Sequence, residues 1–323
     1  MKRPKISVML LGGTIVCNYD PGKRQAIPNY GLSDLIERIP AIEKEYELIG
    51  EEVFNIPGTQ LTLEHGFEVS KRLKERLADP EIDGAVVIQG TDTLDEIAYL
   101  VSLLVDTDKP VVFTGAMKSH NEFYPDADGN VFGAIQVAGN PHARGRGVMV
   151  YMNQLLFLAA DVEKFHSNRV DAFQSFYGPI GSIENQNVLF WRSPERFDTF
   201  TIDHIEQGIP IIKSYAGMDD CLIHAAITAG CRGIVIEGLG SGNVQPSIIG
   251  EIKRALELRI PVIITTRCMN GATFGFYDYM GGGAELQALG GIFTRRLCSY
   301  KARIKLSVLL SAGIPLEQLY LYF

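Results

Sequence analysis

Short apolar runs alternate with amphipathic segments along most of the chain, and this alternation constrains the fold more than any other feature. A typical run lies at residues 83–88 and is followed at once by a segment with helical spacing at 94–105. Such alternation is typical of βα units, in which buried parallel strands are connected by helices. We therefore predict the α/β class, with a mostly parallel sheet flanked by helices in a larger N-terminal domain and a smaller C-terminal α/β domain.

The pattern divides the 323 residues into two parts. We expect an N-terminal domain at 1–190, a polar linker at 191–208 and a C-terminal domain at 209–323. Ser33 is predicted to be the N-cap of the first helix. The predicted strands are 6–11, 48–56, 83–88, 111–114, 148–152, 211–215, 233–237 and 262–265, and the predicted helices are 33–39, 62–78, 94–105, 129–137, 219–229 and 246–258.

Charge and composition argue against several kinds of partner and cofactor. The net charge is −8 without any block of Lys or Arg, so we expect no binding to nucleic acid or to a membrane surface. The 5 cysteines form no CxxC pair and the 6 histidines show no metal-binding spacing, so we expect reduced thiols, no metal and no cofactor. The N-terminal apolar run is too short for a signal peptide, and no stretch approaches the ~20 apolar residues of a membrane span, which predicts a cytoplasmic protein.

Two strand ends carry glycine followed by threonine. Thr14 follows a glycine pair after the first strand, and Thr91 follows Gly90 after a later one. Ligands bind in the crevice at the carboxyl ends of parallel strands, and glycines there free backbone N–H groups to donate. We therefore expect the two threonines to share one crevice. The alternative is that GTDT (90–93) only caps the next helix, for which Thr93 is the better cap.

A threonine hydroxyl is a weak nucleophile unless a neighbouring base takes its proton. Lysine can serve as such a base, and Lys109 and Lys164 both lie near predicted strands. Either could instead be an ordinary surface residue. Lys164 follows the carboxyl end of a strand, on the crevice side, whereas Lys109 enters a strand from the opposite edge. Topology therefore favours Lys164.

Several stretches resemble, in one order, the segments of the L-asparaginase/glutaminase amidohydrolase family. Single tetrads such as GGTI are weak signals, but the ordered set runs from about residue 6 to about residue 310 and is specific. The stretches are LLGGTIV (10–16), VVIQGTDTLDEIAYLVSLL (86–104), DKPVVFTGAMKS (108–119), DADGNVFGAIQVA (126–138), VYMNQLLFLAADVEK (150–164), RVDAFQSFYGPIG (169–181), GLGSGNV (238–244) and KARIKLSVLL (301–310).

The resemblance implies a set of roles at the strand ends. Thr14 corresponds to the acylated nucleophile, and Thr91 to a second catalytic threonine that Lys164 activates. Asp92 corresponds to the residue that binds the α-amino group of the substrate. Backbone N–H groups near Gly90 are expected to stabilise the oxyanion.

The family also has an N-terminal loop that supplies a tyrosine, and it corresponds to residues 16–31 here. Asn29 and Tyr30 resemble the N-Y dipeptide of some members, which makes Tyr30 the first choice and Tyr19 the reserve. An Ile-Pro match to other members would instead put Ala26 at that position.

Further roles implied by the resemblance fall in the C-terminal domain. Asn243 in the G-S-G-N turn corresponds to an asparagine that supports the amine from a neighbouring subunit. Asp278 corresponds, by counting on from a G-A-T turn, to an acid that family members use there. The resemblance thus implies a homodimer or homotetramer whose sites are completed across a subunit interface.

The chain departs from the family pattern at several positions. Gln89 stands where H-G-T-D-T has histidine, and Ala160 where many members have arginine. The carboxylate-binding serine of the family aligns with Gly58, with Gln60 at its aspartate, when no gap is allowed. A one-residue gap aligns GTQ with the family's G-S-Q and gives that role to Thr59, which we prefer.

The resemblance implies hydrolysis of the side-chain amide of L-asparagine to L-aspartate and ammonia through a threonine acyl-enzyme. The expected partner is therefore a small-molecule amide. Two alternatives stay open: an amidohydrolase of the same fold that acts on L-Gln, D-Asn or another small amide, and a non-catalytic amino-acid-binding module.

Overall fold

The structure is a computed structural model that describes residues 2–23, 25–28, 30–193 and 198–323. The chain forms two compact units, Met1–Thr199 and Phe200–Phe323. Both contain parallel strands covered by helices, so the predicted fold class is confirmed. The predicted linker at 191–208 includes residues 194–197, which lie outside the described residues, and its bounds stay a prediction.

Helices and strands of the first unit alternate through its N-terminal half, and short strands follow. Three turns of 3₁₀ helix, Thr14–Val16, Gly58–Gln60 and Thr91–Thr93, follow strand ends. In chain order the elements are β1 (Lys5–Leu10), β2 (Cys17–Asp20), β3 (Gln25–Pro28), α1 (Leu32–Glu37), α2 (Pro40–Glu45), β4 (Glu47–Glu52), α3 (Leu63–Ala78), β5 (Gly84–Ile88), α4 (Leu94–Leu104), β6 (Val111–Thr114), α5 (Ala127–Ala138), β7 (Val148–Met152), β8 (Leu155–Leu158), β9 (Val162–Lys164), β10 (Phe173–Ser175), β11 (Gly181–Glu184) and β12 (Asn187–Phe190).

Most described strands of the first unit form one eight-stranded sheet in the order β12-β11-β8-β7-β6-β5-β1-β4. The neighbours from β7 to β4 are parallel, whereas β8, β11 and β12 pair antiparallel. Leu10 is level with Ile88, and Ile88 is level with Thr114. The loops that follow β1, β5 and β6 therefore leave the sheet side by side.

Both faces of this sheet are buried, which explains why its strands are apolar without alternation. Ile6, Val8 and Leu10 of β1 face a cluster that includes residues of α1 and α5. Met9, at the intervening position, faces the opposite cluster, in which Phe113 and residues of α3 and α4 pack. The two clusters make the centre of the sheet a rigid support for the loops at its edge.

The second unit is a smaller α/β unit with a parallel sheet. Its strands follow the order β13-β14-β15-β16, and every described pair is parallel. No helix in the described part of the chain is both long enough and apolar enough to cross a membrane. The elements are β13 (Ile211–Lys213), α6 (Cys221–Thr228), β14 (Ile234–Gly238), α7 (Ile249–Glu257), β15 (Val262–Thr266), α8 (Gly283–Leu289), β16 (Ile292–Phe293) and α9 (Ser299–Ser311).

Two boundaries near the N-terminus differ from the prediction. The N-cap of α1 is Gly31, and Ser33 lies inside the helix, because the Asp34 carboxylate accepts the Gly31 N–H at 2.8 Å. The strand predicted at 48–56 ends at Glu52, because the next two amides turn back to donate to the carbonyl of Leu10.

The segment expected as a loop at 16–31 contains a β-hairpin. Strands β2 and β3 pair antiparallel, with Tyr19 opposite Ala26. Arg24 and Asn29 of this segment lie outside the described residues. The sequence pattern missed the hairpin because neither strand is apolar enough to stand out.

Candidate active site

Close backbone contact between loops defines the edge of the sheet where β1 and β5 end. Gly12 and Gly13 have φ values of 109° and 99°, which L side chains rarely adopt. A Cβ atom added to Gly13 would overlap the Cα atom of Gly90. The loops that carry Thr14 and Thr91 are therefore in direct contact one residue before each threonine.

A third loop joins this contact. A Cβ atom on Gly90 would lie 2.7 Å from the backbone nitrogen of Gly58, and one on Gly58 would lie 3.1 Å from the carbonyl carbon of Gly90. We call the meeting of Gly13, Gly58 and Gly90 the glycine crossing. Each of its glycines is followed by a threonine, and these are Thr14, Thr59 and Thr91.

Lys164 lies beside the third of these threonines. Its Nζ atom is 2.9 Å from Thr91 Oγ1 and 2.7 Å from Asp92 Oδ1. The Lys164 side chain is 15 % exposed, whereas that of Asp92 is 56 % exposed, so the carboxylate is open to a ligand while the amine is mostly covered. An amine between a hydroxyl and a carboxylate can move a proton between them.

Asp95 positions the lysine and was not predicted to take part in the site. Its Oδ2 atom accepts the backbone N–H of Lys164 at 2.9 Å, and the residue is only 4 % exposed. From the sequence alone, Asp95 is an acidic residue in the first turn of a helix, a position that suits the helix dipole. No local pattern could have found it, because the Lys164 amide that it binds is 69 positions further along the chain.

Thr93 stands at the start of α4 and links that helix to the loop of Gly58. It occupies the N-cap position of α4, but its Oγ1 atom donates to the carbonyl of Gly58 at 2.9 Å. The predicted cap position is therefore confirmed, but the Thr93 side chain makes no capping hydrogen bond to the helix and donates to the neighbouring loop instead. This hydrogen bond connects the start of α4 to Gly58 of the glycine crossing.

Two further contacts shape the pocket wall around Thr91. A Cβ atom on Gly115 would lie 3.1 Å from Thr91 Cγ2, so the loop after β6 packs on the threonine methyl group. Gln89 is buried, and its Nε2 atom is 3.3 Å from the carbonyl of Gly90. Gln89 therefore acts on the backbone of the crossing rather than facing open solvent.

The loop after β6 is itself held by Asp126. This carboxylate accepts the N–H groups of Met117 and Lys118 at 3.1 and 2.8 Å. Burial raises the pKa of Asp126, and the hydrogen bonds it accepts act in the opposite direction.

The described residues contain no group of three or more His, Cys, Asp or Glu side chains that could hold a metal ion.

The alternative lysine lies elsewhere. Lys109 Nζ donates to the carbonyls of Leu77 and Asp79 at 2.8 and 2.6 Å, at the end of α3. A cation there satisfies carbonyls that the helix leaves without partners. The structure thus gives Lys109 structural partners and places Lys164 beside the predicted threonine.

The two candidate tyrosines differ in their surroundings. Tyr30 is half-buried, its hydroxyl accepts from Asn18 Nδ2 at 2.6 Å, and its N–H donates to the carbonyl of Val16 at 3.2 Å. Tyr19 lies in β2, and its backbone exchanges hydrogen bonds with the Asn121 side chain. Of the two, only Tyr30 is tied to the turn that begins at Thr14.

The remaining predicted residues lie at the rim of the first unit or in the second. Thr59 and Gln60 are exposed after the buried Gly58. In the second unit, Asn243 Oδ1 accepts the N–H of Gly283 at 3.0 Å, and Asp278 is exposed.

Comparison with known proteins agrees with this architecture. The family Asparaginase, N-terminal, matches residues 5–196, and the family Glutaminase/Asparaginase C-terminal domain matches residues 208–323. A protein of Bacillus licheniformis named L-asparaginase is 31 % identical over 309 residues, which are 95 % of this chain and 96 % of that protein. A glutaminase-asparaginase of Pseudomonas fluorescens is 28 % identical over 272 residues, which are 81 % of this chain and 75 % of that protein.

A solved structure extends the similarity to the whole chain. It is described as a probable cytoplasmic L-asparaginase from Campylobacter jejuni, with a TM-score of 0.89 and 27 % identity, and the match covers 99 % of both chains. The fold and the candidate site define a two-domain α/β protein in which threonines, a lysine and a carboxylate meet beside the glycine crossing. The chain belongs to the asparaginase family, and the prediction of an amidohydrolase enzyme is confirmed.

Proposed function

We propose that this enzyme hydrolyses the side-chain amide of L-asparagine to L-aspartate and ammonia through an ester on Thr14. The observation that carries the proposal is the contact of Lys164 Nζ with Thr91 Oγ1 and Asp92 Oδ1 beside the glycine crossing. The names of the relatives, L-asparaginase and glutaminase-asparaginase, support the substrate class.

The first step forms the ester. The Thr14 hydroxyl oxygen bonds to the carboxamide carbon, the C–N bond breaks, and the hydroxyl proton goes to the departing nitrogen, which leaves as ammonia. The carbonyl oxygen becomes negative in between, and we assign its stabilisation to backbone N–H groups of Gly90 and Thr91. Loss of one such donor typically costs about 2.7–4 kcal/mol of transition-state stabilisation.

The second step releases the acid. A water molecule attacks the ester carbon, and its proton passes through Thr91 Oγ1 to Lys164 Nζ, which lies 2.9 Å away. The C–O bond to Thr14 breaks, and the proton returns to the threonine oxygen. Asp92, at 2.7 Å from Nζ, stabilises the ammonium that forms in between.

Substrate specificity is assigned to the groups that recognise the α-amino and α-carboxylate ends. Asp92 presents an exposed carboxylate for the amine. For the carboxylate end we favour the hydroxyl of Thr59 and the backbone of Gly58 and Gln60, because a side chain on Gly58 itself would crowd the carbonyl of Gly90. A substrate that lacks either end leaves polar partners unmatched, which is costly.

Residues outside this cluster complete the proposal. Tyr30 is our choice for the tyrosine that serves Thr14, since its N–H is bonded to the same turn, and Tyr19 is the reserve. Asn243 and Asp278 are proposed to complete the site of a second copy, which requires a homodimer or homotetramer.

We also propose that the enzyme is cytoplasmic, because the solved relative is described as cytoplasmic. Cell fractionation that finds the protein in the periplasm would overturn this.

The test measures ammonia released by purified protein from L-Asn, D-Asn and L-Gln, followed by mass spectrometry of the acid-quenched enzyme. We expect fastest release from L-Asn and an added aspartyl mass on the peptide that contains Thr14, absent in Thr14→Ala. Faster release from L-Gln or D-Asn would indicate an amidohydrolase with another substrate. Binding without release from any amide would indicate an amino-acid-binding module and would exclude the proposed reaction.

A further inference from the structure

Tyr30 is held on three sides by side chains that the proposed mechanism does not use. Asn18 Nδ2 donates to its hydroxyl at 2.6 Å. The ring of His120 meets the tyrosine ring edge to face, with centroids 5.3 Å apart and an interplanar angle of 70°. The guanidinium carbon of Arg38 lies 5.1 Å from the centre of the tyrosine ring. We call these three residues the Tyr30 clamp.

The clamp is connected to the turn of Thr14 through the backbone. The Tyr30 N–H donates to the carbonyl of Val16, the last residue of that turn, at 3.2 Å. The Val16 N–H in turn donates to the carbonyl of Gly13 at 3.2 Å. A change in the position of Tyr30 is therefore passed to the turn on which the proposed nucleophile stands.

The geometry favours the neutral form of His120. Its Nδ1 atom is buried and has no hydrogen-bond partner among the described residues, and the same is true of one terminal nitrogen of Arg38, Nη1. A protonated imidazole needs acceptors for both of its N–H groups, and a buried charged donor without one is costly. The nearby guanidinium adds repulsion to that cost.

The charged groups around His120 come from three directions. Arg38, the C-cap of α1, lies over the Tyr30 ring and is paired with Asp128 of α5 at 3.0 Å. The loop of His120 itself carries Lys118 and Glu122, and the Glu122 carboxylate accepts the Ser119 N–H at 2.9 Å. Burial first and Arg38 second lower the pKa of His120 below its usual 6.5, and Asp128 opposes them.

We propose that His120 is a positioning residue for the reaction, which acts through Tyr30: its neutral ring holds the tyrosine against the Thr14 turn, and protonation releases it. The effect of His120 on kcat rests on the proposed function. The clamp itself is a property of the fold and is measurable without substrate.

The sign of the pH effect follows from the direction of the pKa shift. The folded protein binds a proton at His120 less readily than the unfolded chain does, so the neutral ring contributes stability fully above pH 6.5. That contribution is lost as the pH falls through the folded-state pKa. The clamp should therefore open on the acid side of pH 6.5, where a fall in kcat is expected.

The activity experiment compares His120→Ala, His120→Gln and the control His142→Gln, an exposed histidine of the same unit. At pH 8 we expect His120→Ala to lower kcat about three- to tenfold with KM nearly unchanged, the range that loss of an aromatic pair produces. His120→Gln should keep most of the activity and lose the acid fall of kcat, because glutamine does not titrate. The control should retain the wild-type profile.

A double-mutant cycle tests the path through the tyrosine. Tyr30→Phe removes the hydroxyl that is proposed to act in the reaction. If His120 acts through Tyr30, adding His120→Ala to Tyr30→Phe should lower kcat far less than adding His120→Ala to the wild type. An equal fall in kcat in both backgrounds would show that His120 acts independently of Tyr30. A fall in kcat at acid pH that persists in His120→Gln would show that another group titrates. Either result overturns the proposal.

Hydrogen exchange separates this proposal from the proposed function. At pH 8 the amides of Tyr30, β2 and β3 should exchange at least several-fold faster in His120→Ala than in the wild type. Acidification should speed the exchange of the same amides in the wild type more than in His120→Gln. Wild-type exchange in His120→Ala at pH 8 overturns the clamp. If wild-type protein releases no ammonia from any amide, the proposed function fails while faster exchange still supports the clamp.

Discussion

At the scale of single residues, two lysines that both lie near predicted strands have different partners. Lys164 contacts a hydroxyl and a carboxylate, whereas Lys109 contacts two carbonyls at the end of α3. We expect Lys164→Met to lower kcat about 10²–10⁴-fold, the usual contribution of a positioned acid or base. Steady-state ammonia release measures this, with unchanged thermal unfolding as the check on folding.

Lys109→Met is the matched control. It should keep kcat and reduce the free energy of unfolding by about 1 kcal/mol, because the Leu77 carbonyl loses the lysine donor and the Asp79 carbonyl keeps only the N–H of Ile82. The assignment of the two lysines would be reversed if Lys109→Met abolished activity while Lys164→Met retained it.

The residues that follow the glycine crossing offer a second prediction. Thr59→Val removes a hydroxyl and keeps the shape, so we expect KM for L-Asn to rise about tenfold or more with kcat less affected, as for a lost bond to a charged group. Thr59→Ser should restore KM. A wild-type KM in Thr59→Val would assign the carboxylate to the backbone alone.

The site could be predicted from the sequence where it depends on strand ends. Thr14 and Thr91 follow apolar parallel strands, and the parallel order brings such strand ends to one edge. Lys164 lies beside Thr91 for another reason: it is the last residue of β9, which follows the antiparallel strand β8 and pairs with β10. The roles of Asp95 and Thr93 were missed because their partners, the Lys164 amide and the Gly58 carbonyl, are brought to them by the tertiary structure alone. Local patterns show that a polar residue begins a helix, but not which neighbouring loop it binds.

At the scale of elements, helix α5 packs tightly against the sheet at one glycine. A Cβ atom on Gly133 would overlap the ring of Tyr151, whose burial raises the pKa of its hydroxyl to about 12. Gly133→Ala should therefore lower the free energy of unfolding by about 1–3 kcal/mol. Urea denaturation followed by circular dichroism provides the measurement.

The same helix supplies the control for this change. Nothing lies within 4 Å of a Cβ atom on Gly129, so Gly129→Ala should leave stability unchanged or raise it by up to about 1 kcal/mol through helix propensity. Equal effects at both glycines would mean that packing on Tyr151 does not decide the outcome.

Strands buried on both faces were predictable, whereas the antiparallel strands were not. The hairpins β7–β8 and β11–β12 turn through Asn153–Gln154 and Asn185–Gln186, all four with φ between 47° and 66°. Two-residue turns of this kind are usually signalled by Asn-Gly or Asp-Gly. Asn-Gln gives no such signal, and the short strands that follow carry too few residues for a periodic pattern.

At the scale of the whole molecule, large apolar side chains near Asp278 in the sequence are exposed in the second unit. Met269, Phe276 and Met280 are 68 %, 77 % and 63 % exposed. Several exposed apolar side chains in one segment favour an interface there. We expect Phe276→Asp to shift the mass measured by light scattering toward the monomer and to lower kcat/KM, since the proposed site needs a second copy.

Tyr320→Asp is the control for charge at an exposed ring, because Tyr320 is 64 % exposed in another segment, Leu316–Leu321. It should leave both mass and activity unchanged. A fully active monomer in Phe276→Asp would show that the site is complete within one chain.

The glycine crossing has a consequence for how this enzyme can be altered. Since the backbones of Gly13, Gly58 and Gly90 touch without side chains between them, none of the three positions can accept a larger residue unless the loops separate. Variation that retunes the choice of amide therefore has to enter at neighbouring positions such as Thr59 and Gln89. Substitutions that change the substrate are therefore expected at these neighbouring positions and not at the three glycines.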